Sequence, residues 1–296
     1  MKHLTIIGGS GFVGKSFIDS FNRGLLKKYS INSITIICRK KIFQKNDNLN
    51  YSNIKIIYGD IGKMKVLPKT DFYIYASEAT KTSEYKNIRK ITKQHKQSIN
   101  NFCKLIKKYP NSKLLYLSSG AVERKSHIRS YKNTYSSLKL YSEGKIKLLK
   151  TNKIYTSIAR CFTFIGRWLP INKHYAVENF LRDAKYKKKI RIKSKKLVYR
   201  SYMYADDMVD WLSKILIKSK KTTKIYNVGS EQEIEIRKLA SLIASFYKEK
   251  IAIISKDINS NHIDRYVPNI SKTKNDFKVK INYNLAKSIQ LTLKSI

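Results

Sequence analysis

Apolar runs at residues 4–7, 33–38, 54–58, 72–76, 113–118 and 155–162 recur through the first two-thirds of the chain. Between several of them lie segments with helical spacing, 12–28, 89–109 and 136–150; in the first, Val13, Phe17, Ile18, Phe21 and Leu25 share one face. Strand–helix alternation of this kind predicts an α/β protein built on a doubly wound parallel sheet. Beyond Gly166 the pattern loosens. It predicts a helix near 175–186, a basic strand at 189–193, a short apolar stretch at 197–204, a helix at 207–217, a strand at 224–227 and a helix at 235–248. No internal repeat, low-complexity linker or Pro/Gly-rich hinge interrupts the chain, so the C-terminal part is expected to pack on the sheet. The expected division is a core of 1–165 completed by about 197–228, with 166–196 and 229–296 forming a smaller mixed region.

Two short motifs carry the chemistry. The first strand, Leu4 to Ile7, runs into GGSGFVG at 8–14 and then into the first helix. A glycine-rich turn in that context lets backbone approach a pyrophosphate and seat it on a helix N-terminus. Gly8, Gly11 and Gly14 fit GxxGxxG, Gly9, Gly11 and Gly14 fit GxGxxG, and Gly9 with Gly14-Lys15-Ser16 also fits the triphosphate loop GxxxxGKS. A triphosphatase needs a second strand ending in an acidic residue to hold magnesium. The candidate strands run instead into Ala76-Ser77 and Ser118-Ser119, which argues against that reading. The second motif, Tyr135-Ser-Ser-Leu-Lys139, sets a phenol one helical turn from an ammonium. Alone, such a pair is usually a solvated helix face; after this turn it can move a proton beside a bound dinucleotide.

Composition narrows the class. The 296 residues suffice for one large α/β domain, and no stretch reaches the ~18–20 apolar residues of a membrane span. The N-terminus goes straight into a strand, leaving no room for a signal peptide, so a cytoplasmic protein is expected. Cys38, Cys103 and Cys161 are odd in number and far apart, as for reduced thiols, and no metal-ligand spacing is present. The net charge of +42 would ordinarily suggest nucleic acid. The lysines are spread over every segment, however, which reads as compositional drift, with any polyanion binding non-specific. The densest run, Lys185 to Lys196, alternates with Tyr186, Ile190 and Ile192 and reads as a solvated strand face.

These motifs resemble the extended short-chain dehydrogenase/reductase superfamily, in its branch of nucleotide-sugar epimerases, dehydratases and 4-ketoreductases. The resemblance runs through IIGGSGFVG (6–14), YGDI (58–61), YLSSGAV (116–122), YSSLKLYSE (135–143), ARCFTFIG (159–166), RSYMYADDMV (200–209), YNVGS (226–230) and YVPNISKTK (266–274), in the family's order. It implies a Rossmann core and a catalytic trio of Ser119, Tyr135 and Lys139. Cofactor contacts are implied at Gly8, Gly11, Phe12, Val13, Gly14, Asp60, Ile61 and Ala76, with Tyr135 and Lys139 beside them. For the substrate it implies contacts at Ser119 and, for the diphosphate, Arg200. A homodimer through helices 89–109 and 136–150 is expected on the same ground. The chemistry suits the residue types: a phenol of pKa ~10 is a poor base until an ammonium favours its anion, and a serine hydroxyl can polarise the reacting oxygen.

Departures from the family pattern refine the expectation. Gly120 and Ala121 follow Ser119 where 4,6-dehydratases carry acidic residues, Glu123-Arg124 stand where Tyr-Gly is usual, and His95 replaces an Asn. The segment between Ser119 and Tyr135 is short and basic. The second strand ends in Cys38-Arg39-Lys40-Lys41, with no carboxylate to accept the adenosine ribose. NADP(H) is therefore expected over NAD(H), with Arg39 on the 2′-phosphate. The expected activity is a 4-ketoreductase making a deoxyhexose; the alternatives are a nucleotide-sugar 4-epimerase and an inactive cofactor-binding regulator.

Overall fold

The computed structural model describes residues 2–40, 42, 52–77, 87–123, 131–170, 175–259 and 263–295. Lys41 and the greater part of the basic segment after Ser119, residues 124–130, lie outside the described residues. The chain divides into two units, one of 1–161 with 209–228, the other of 162–208 with 229–296.

The first unit is a seven-stranded sheet. Its strands are β1 (Lys2–Ile7), β2 (Ile31–Cys38), β3 (Ile54–Tyr58), β4 (Phe72–Tyr75), β5 (Lys113–Ser119), β6 (Tyr155–Cys161) and, late in the chain, β11 (Lys224–Val228). They lie in the order β3-β2-β1-β4-β5-β6-β11, and every neighbouring pair is parallel. Helices α1 (Phe12–Asn22), α2 (Ile88–Ile106) and α3 (Tyr131–Lys147) connect them. The order reverses between β1 and β4, so the C-terminal ends of these strands open a crevice of the kind that takes ligands in open α/β sheets. Strands covered on both faces must be apolar throughout; Leu4, Ile6, Ile34, Ile36, Leu114 and Leu115 are fully buried. Phe102 of α2 packs on Tyr75 with ring centres 4.8 Å apart. Cys103 lies in the same core, and burial pushes its thiol up to about 12.

The second unit holds a three-stranded sheet in which β9 (Leu197–Ser201) pairs antiparallel with β12 (Glu233–Glu235) and parallel with β14 (Ile263–Tyr266). Two parallel pairs accompany it, β7 (Phe164–Ile165) with β10 (Met203–Tyr204), and β8 (Lys189–Ile192) with β13 (Ala252–Ser255). Helices α4 (Ala176–Lys187), α6 (Ile236–Ala244), α7 (Ser271–Phe277) and α8 (Leu285–Leu293) belong here, and α5 (Ala205–Ile217) begins here and continues into the first unit. Residues 197–208 thus fall in the second unit, and the first crossing comes after Cys161 rather than near 165. The basic run is split. Lys185 and Lys187 end α4, Lys188 takes a left-handed φ of 51° at its C-cap, and β8 buries Ile190 and Ile192 while Arg191 faces water. Among the described residues no helix is long and apolar enough to cross a membrane.

Candidate active site

The glycine turn divides its labour among positions. Gly8 has a φ of 89°, and a Cβ there would stand 2.4 Å from the Ser77 backbone at the end of β4. At Gly14 a Cβ would lie 2.3 Å from Gly9 Cα and O, so only glycine lets α1 pack directly on the turn. Gly11 differs: the nearest atom to an added Cβ is 3.8 Å away, leaving ordinary room on the protein side. Gly11 is the N-cap of α1, makes no side-chain cap and precedes a first turn without acidic residues. A tight turn, an open N-terminus and a close helix–strand contact are the three requirements of a dinucleotide cradle, and the positive end of the helix favours an anion. Phe12 and Val13, half-buried, open this helix, and Ala76 is held beside the turn by its N–H, which donates to Ile7 O at 2.8 Å.

Asp60 and Ile61 follow β3 in a turn that the protein braces. Asp60 Oδ1 accepts from the Gly62 N–H at 2.8 Å, and Asn101 Nδ2 on α2 donates to Ile61 O and Met64 O at 2.7 and 2.9 Å. Arg39 and Lys40 are exposed just past β2, whose last residue Cys38 pairs with Tyr58. The residues present fit a dinucleotide: a backbone cradle for the pyrophosphate, a braced carboxylate and cations at the far end.

Ser119, Tyr135 and Lys139 lie in the same unit. Ser119 ends β5, is 8% exposed and accepts the Ala121 N–H on Oγ at 3.2 Å. Ser136 on α3 donates to Ala121 O at 3.1 Å, tying the turn after Ser119 to the residue next to Tyr135. Tyr135 is half-buried. Lys139 is 5% exposed, donates from Nζ to Leu117 O at 2.7 Å and stands 5.6 Å from the centre of the Tyr135 ring. His95 Nε2 is 2.8 Å from Ser142 Oγ and 3.2 Å from Leu138 O, so the residue that departs from the family pattern joins α2 to α3.

Beside this trio lies an ion-pair network centred on the buried Glu143, which the sequence pattern did not reveal. Glu143, one turn beyond Lys139, accepts from Ser118 Oγ at 2.6 Å and from Arg160 Nε and Nη2 at 3.0 and 2.9 Å. Arg160 stands on β6 opposite Ser118 and also reaches Glu123 at 3.4 Å. The available signal was the i, i+4, i+8 spacing of Tyr135, Lys139 and Glu143.

Arg200 lies in the second unit on β9. Its guanidinium donates to Asp264 Oδ2 at 2.8 Å and to the Asp264 and Tyr199 carbonyls at 2.9 and 2.8 Å. β9 ends at Ser201 and Tyr204 belongs to β10, so Arg200 and Tyr204 stand on different strands.

The model of the NAD dependent epimerase/dehydratase family matches residues 4–229, most of the chain. The chain belongs to this family. Its members are NAD-dependent enzymes of the extended short-chain dehydrogenase/reductase type. Solved structures agree on the fold. MoeE5 in complex with UDP-glucose and NAD superposes with a TM-score of 0.81 at 11% identity, covering 99% of this chain and 98% of that one. The UDP-glucose 4-epimerase of Thermotoga maritima with UDP-glucose gives 0.78 at 15% identity over 99% and 98%. The dTDP-glucose 4,6-dehydratase of Bacillus anthracis in complex with NAD gives 0.76 at 19% identity over 100% and 96%.

Proposed function

We propose that this family member is an NADP(H)-dependent 4-ketoreductase of a nucleotide-linked sugar, producing a deoxyhexose. The observation that carries the reading is the arrangement at the end of β5, where buried Ser119 and Lys139 accompany Tyr135 in the unit that bears the glycine cradle. When bound, the dinucleotide would supply the hydride for the sugar ketone. Tyr135 would give its phenolic proton to the oxygen that becomes the hydroxyl, Ser119 Oγ would polarise that oxygen, and Lys139 would favour the phenolate left behind. Gly120 and Ala121 offer no acid–base pair after Ser119, which supports reduction over dehydration. Arg39 and Lys40 support the phosphorylated cofactor, whose 2′-phosphate an exposed guanidinium can fork. In this reading Arg200 contacts the substrate diphosphate, and the enzyme is a homodimer through α2 and α3. The outward lysines of those helices, among them Lys93, Lys96, Lys104 and Lys107, would make that dimer tighter at higher salt.

The test is incubation with NADPH or NADH and a nucleotide-linked 4-keto-6-deoxyhexose, following loss of reduced nicotinamide and the product by mass spectrometry. Stoichiometric NADPH oxidation is expected. Interconversion of 4-epimeric nucleotide sugars without net cofactor oxidation would replace the reductase reading by the epimerase.

A further inference from the structure

We propose that Glu143 and Arg160 are a positioning pair for the proton donor: they clamp the end of β5 to the catalytic helix and, being jointly neutral, leave the ionisation of Tyr135 to Lys139. The inference rests on the reading of Tyr135 as the proton-transfer residue.

The geometry is that of a clamp. Tyr135, Lys139 and Glu143 recur at i, i+4 and i+8 and so share one face of α3. From that face Lys139 bonds Leu117 O and Glu143 bonds Ser118 Oγ, the two residues immediately before Ser119. Arg160, paired with Ser118 across the sheet, holds both oxygens of Glu143. Three elements thus meet at one carboxylate whose residue is only 2% exposed. The guanidinium is held charged even beyond its ordinary value, chiefly by its hydrogen bonds to Glu143.

The charge argument follows from burial. A structural ion pair and an electrostatically silent one differ in what happens when half is removed, because an uncompensated buried charge acts over long range in low dielectric. Glu143 lies two helical turns from Tyr135, about 12 Å along the axis. At that separation a lone charge would move the phenol by about half to one pH unit. Among the described residues, the titratable or charged groups about Tyr135 and Lys139 include Tyr116 of β5, Cys161 of β6, His95 of α2 and Glu123 after β5; they are common to all the variants compared.

The experiment is a titration of the protein labelled with carbon-13 at tyrosine Cζ, followed by NMR, the Tyr135 signal being the one missing in Tyr135→Phe. It needs no substrate, so it stands or falls apart from the ketoreductase assignment. Glu143→Gln leaves Arg160 with only the exposed Glu123 as a partner, favours the phenolate and should lower the Tyr135 midpoint. Arg160→Met leaves the carboxylate uncompensated and should raise it. The double variant should return the midpoint to that of the unaltered protein, whatever its thermal stability. Midpoints that do not move, or that move the same way in both single variants, would overturn the proposal. If Arg160→Met does not fold, Glu143→Gln decides alone: a lowered midpoint supports the pair's electrostatic role and an unchanged one overturns it.

Discussion

Lys139 Nζ is held 5.6 Å from the centre of the Tyr135 ring by its hydrogen bond to Leu117 O, so the cation cannot swing away from the phenol without leaving that carbonyl. Tyr135→Phe and Lys139→Met should therefore each cut kcat by about 10²–10⁴-fold, the range for a lost acid–base contribution. If both serve one proton transfer, the double variant should be little worse than either single one. Steady-state kinetics with the keto sugar checks this; near-normal activity of the Phe variant would remove Tyr135 from the mechanism.

Gly11 and Gly14 should fail in different ways. Alanine at Gly11 meets nothing closer than 3.8 Å, so Gly11→Ala should keep its melting temperature and lose more than about tenfold in dinucleotide affinity. Alanine at Gly14 would collide with Gly9 backbone at 2.3 Å and should lower both. Calorimetric titration beside a thermal melt separates the two, and equal affinity of Gly11→Ala and the parent would exclude a pyrophosphate at that position.

Cofactor preference should follow Arg39. The unaltered protein is expected to bind NADPH more tightly than NADH at moderate salt. Arg39→Asp should reverse the order, since it adds repulsion of the 2′-phosphate while removing attraction. Fluorescence titration of both reduced cofactors against both proteins is the measurement.

Arg200 is already engaged by Asp264, which sharpens its test. If it also grips the diphosphate, Arg200→Ala should raise KM for the nucleotide sugar far more than for the sugar lacking its nucleotide. Asp264→Asn, which leaves the guanidinium in place, should raise it less. Equal effects of the two substitutions would make the contact structural.

Asp210 makes stability pH-dependent. Burial alone would push its carboxyl up, but hydrogen bonds from Lys28, Tyr29 and Lys214 outweigh this and hold it below the usual carboxylate range. A depressed folded value means stability that is present above the unfolded pKa of ~3.9 and lost as pH falls through the folded one. Asp210→Asn should cost about 1–3 kcal/mol at neutral pH, and urea unfolding should show the deficit shrinking on acidification below pH ~4.

Much of the first unit is written locally. Six apolar runs became β1 to β6 because a doubly covered sheet tolerates little else, and the glycines stand out by their spacing, although the backbone that crowds Gly8, at Ser77, is far along the chain. The second unit is less legible. β13 is exposed along its whole length, so Ala252 to Ser255 carries no burial pattern, and β7, β10 and β12 are two or three residues long. No clear periodic pattern marks α7 and α8, because short amphipathic stretches near 271–293 are set by tertiary packing more than by propensity. At the site, Tyr135 and Lys139 are visible as a helical pair. The hydrogen bonds that Arg160 donates to Glu143 join two elements whose register no local pattern states.

The seventh strand has a consequence for how the chain is made. β6 receives its outer neighbour β11 only after residues 162–208 have entered the second unit and α5 has brought the chain back. During synthesis the first 161 residues therefore wait with β6 as a bare edge, its Ser157 to Cys161 backbone able to pair with any other strand at hand. A fragment ending at Cys161 would hold the glycine turn with Ser119, Tyr135 and Lys139, yet would be prone to self-association until Lys224 to Val228 closed that edge.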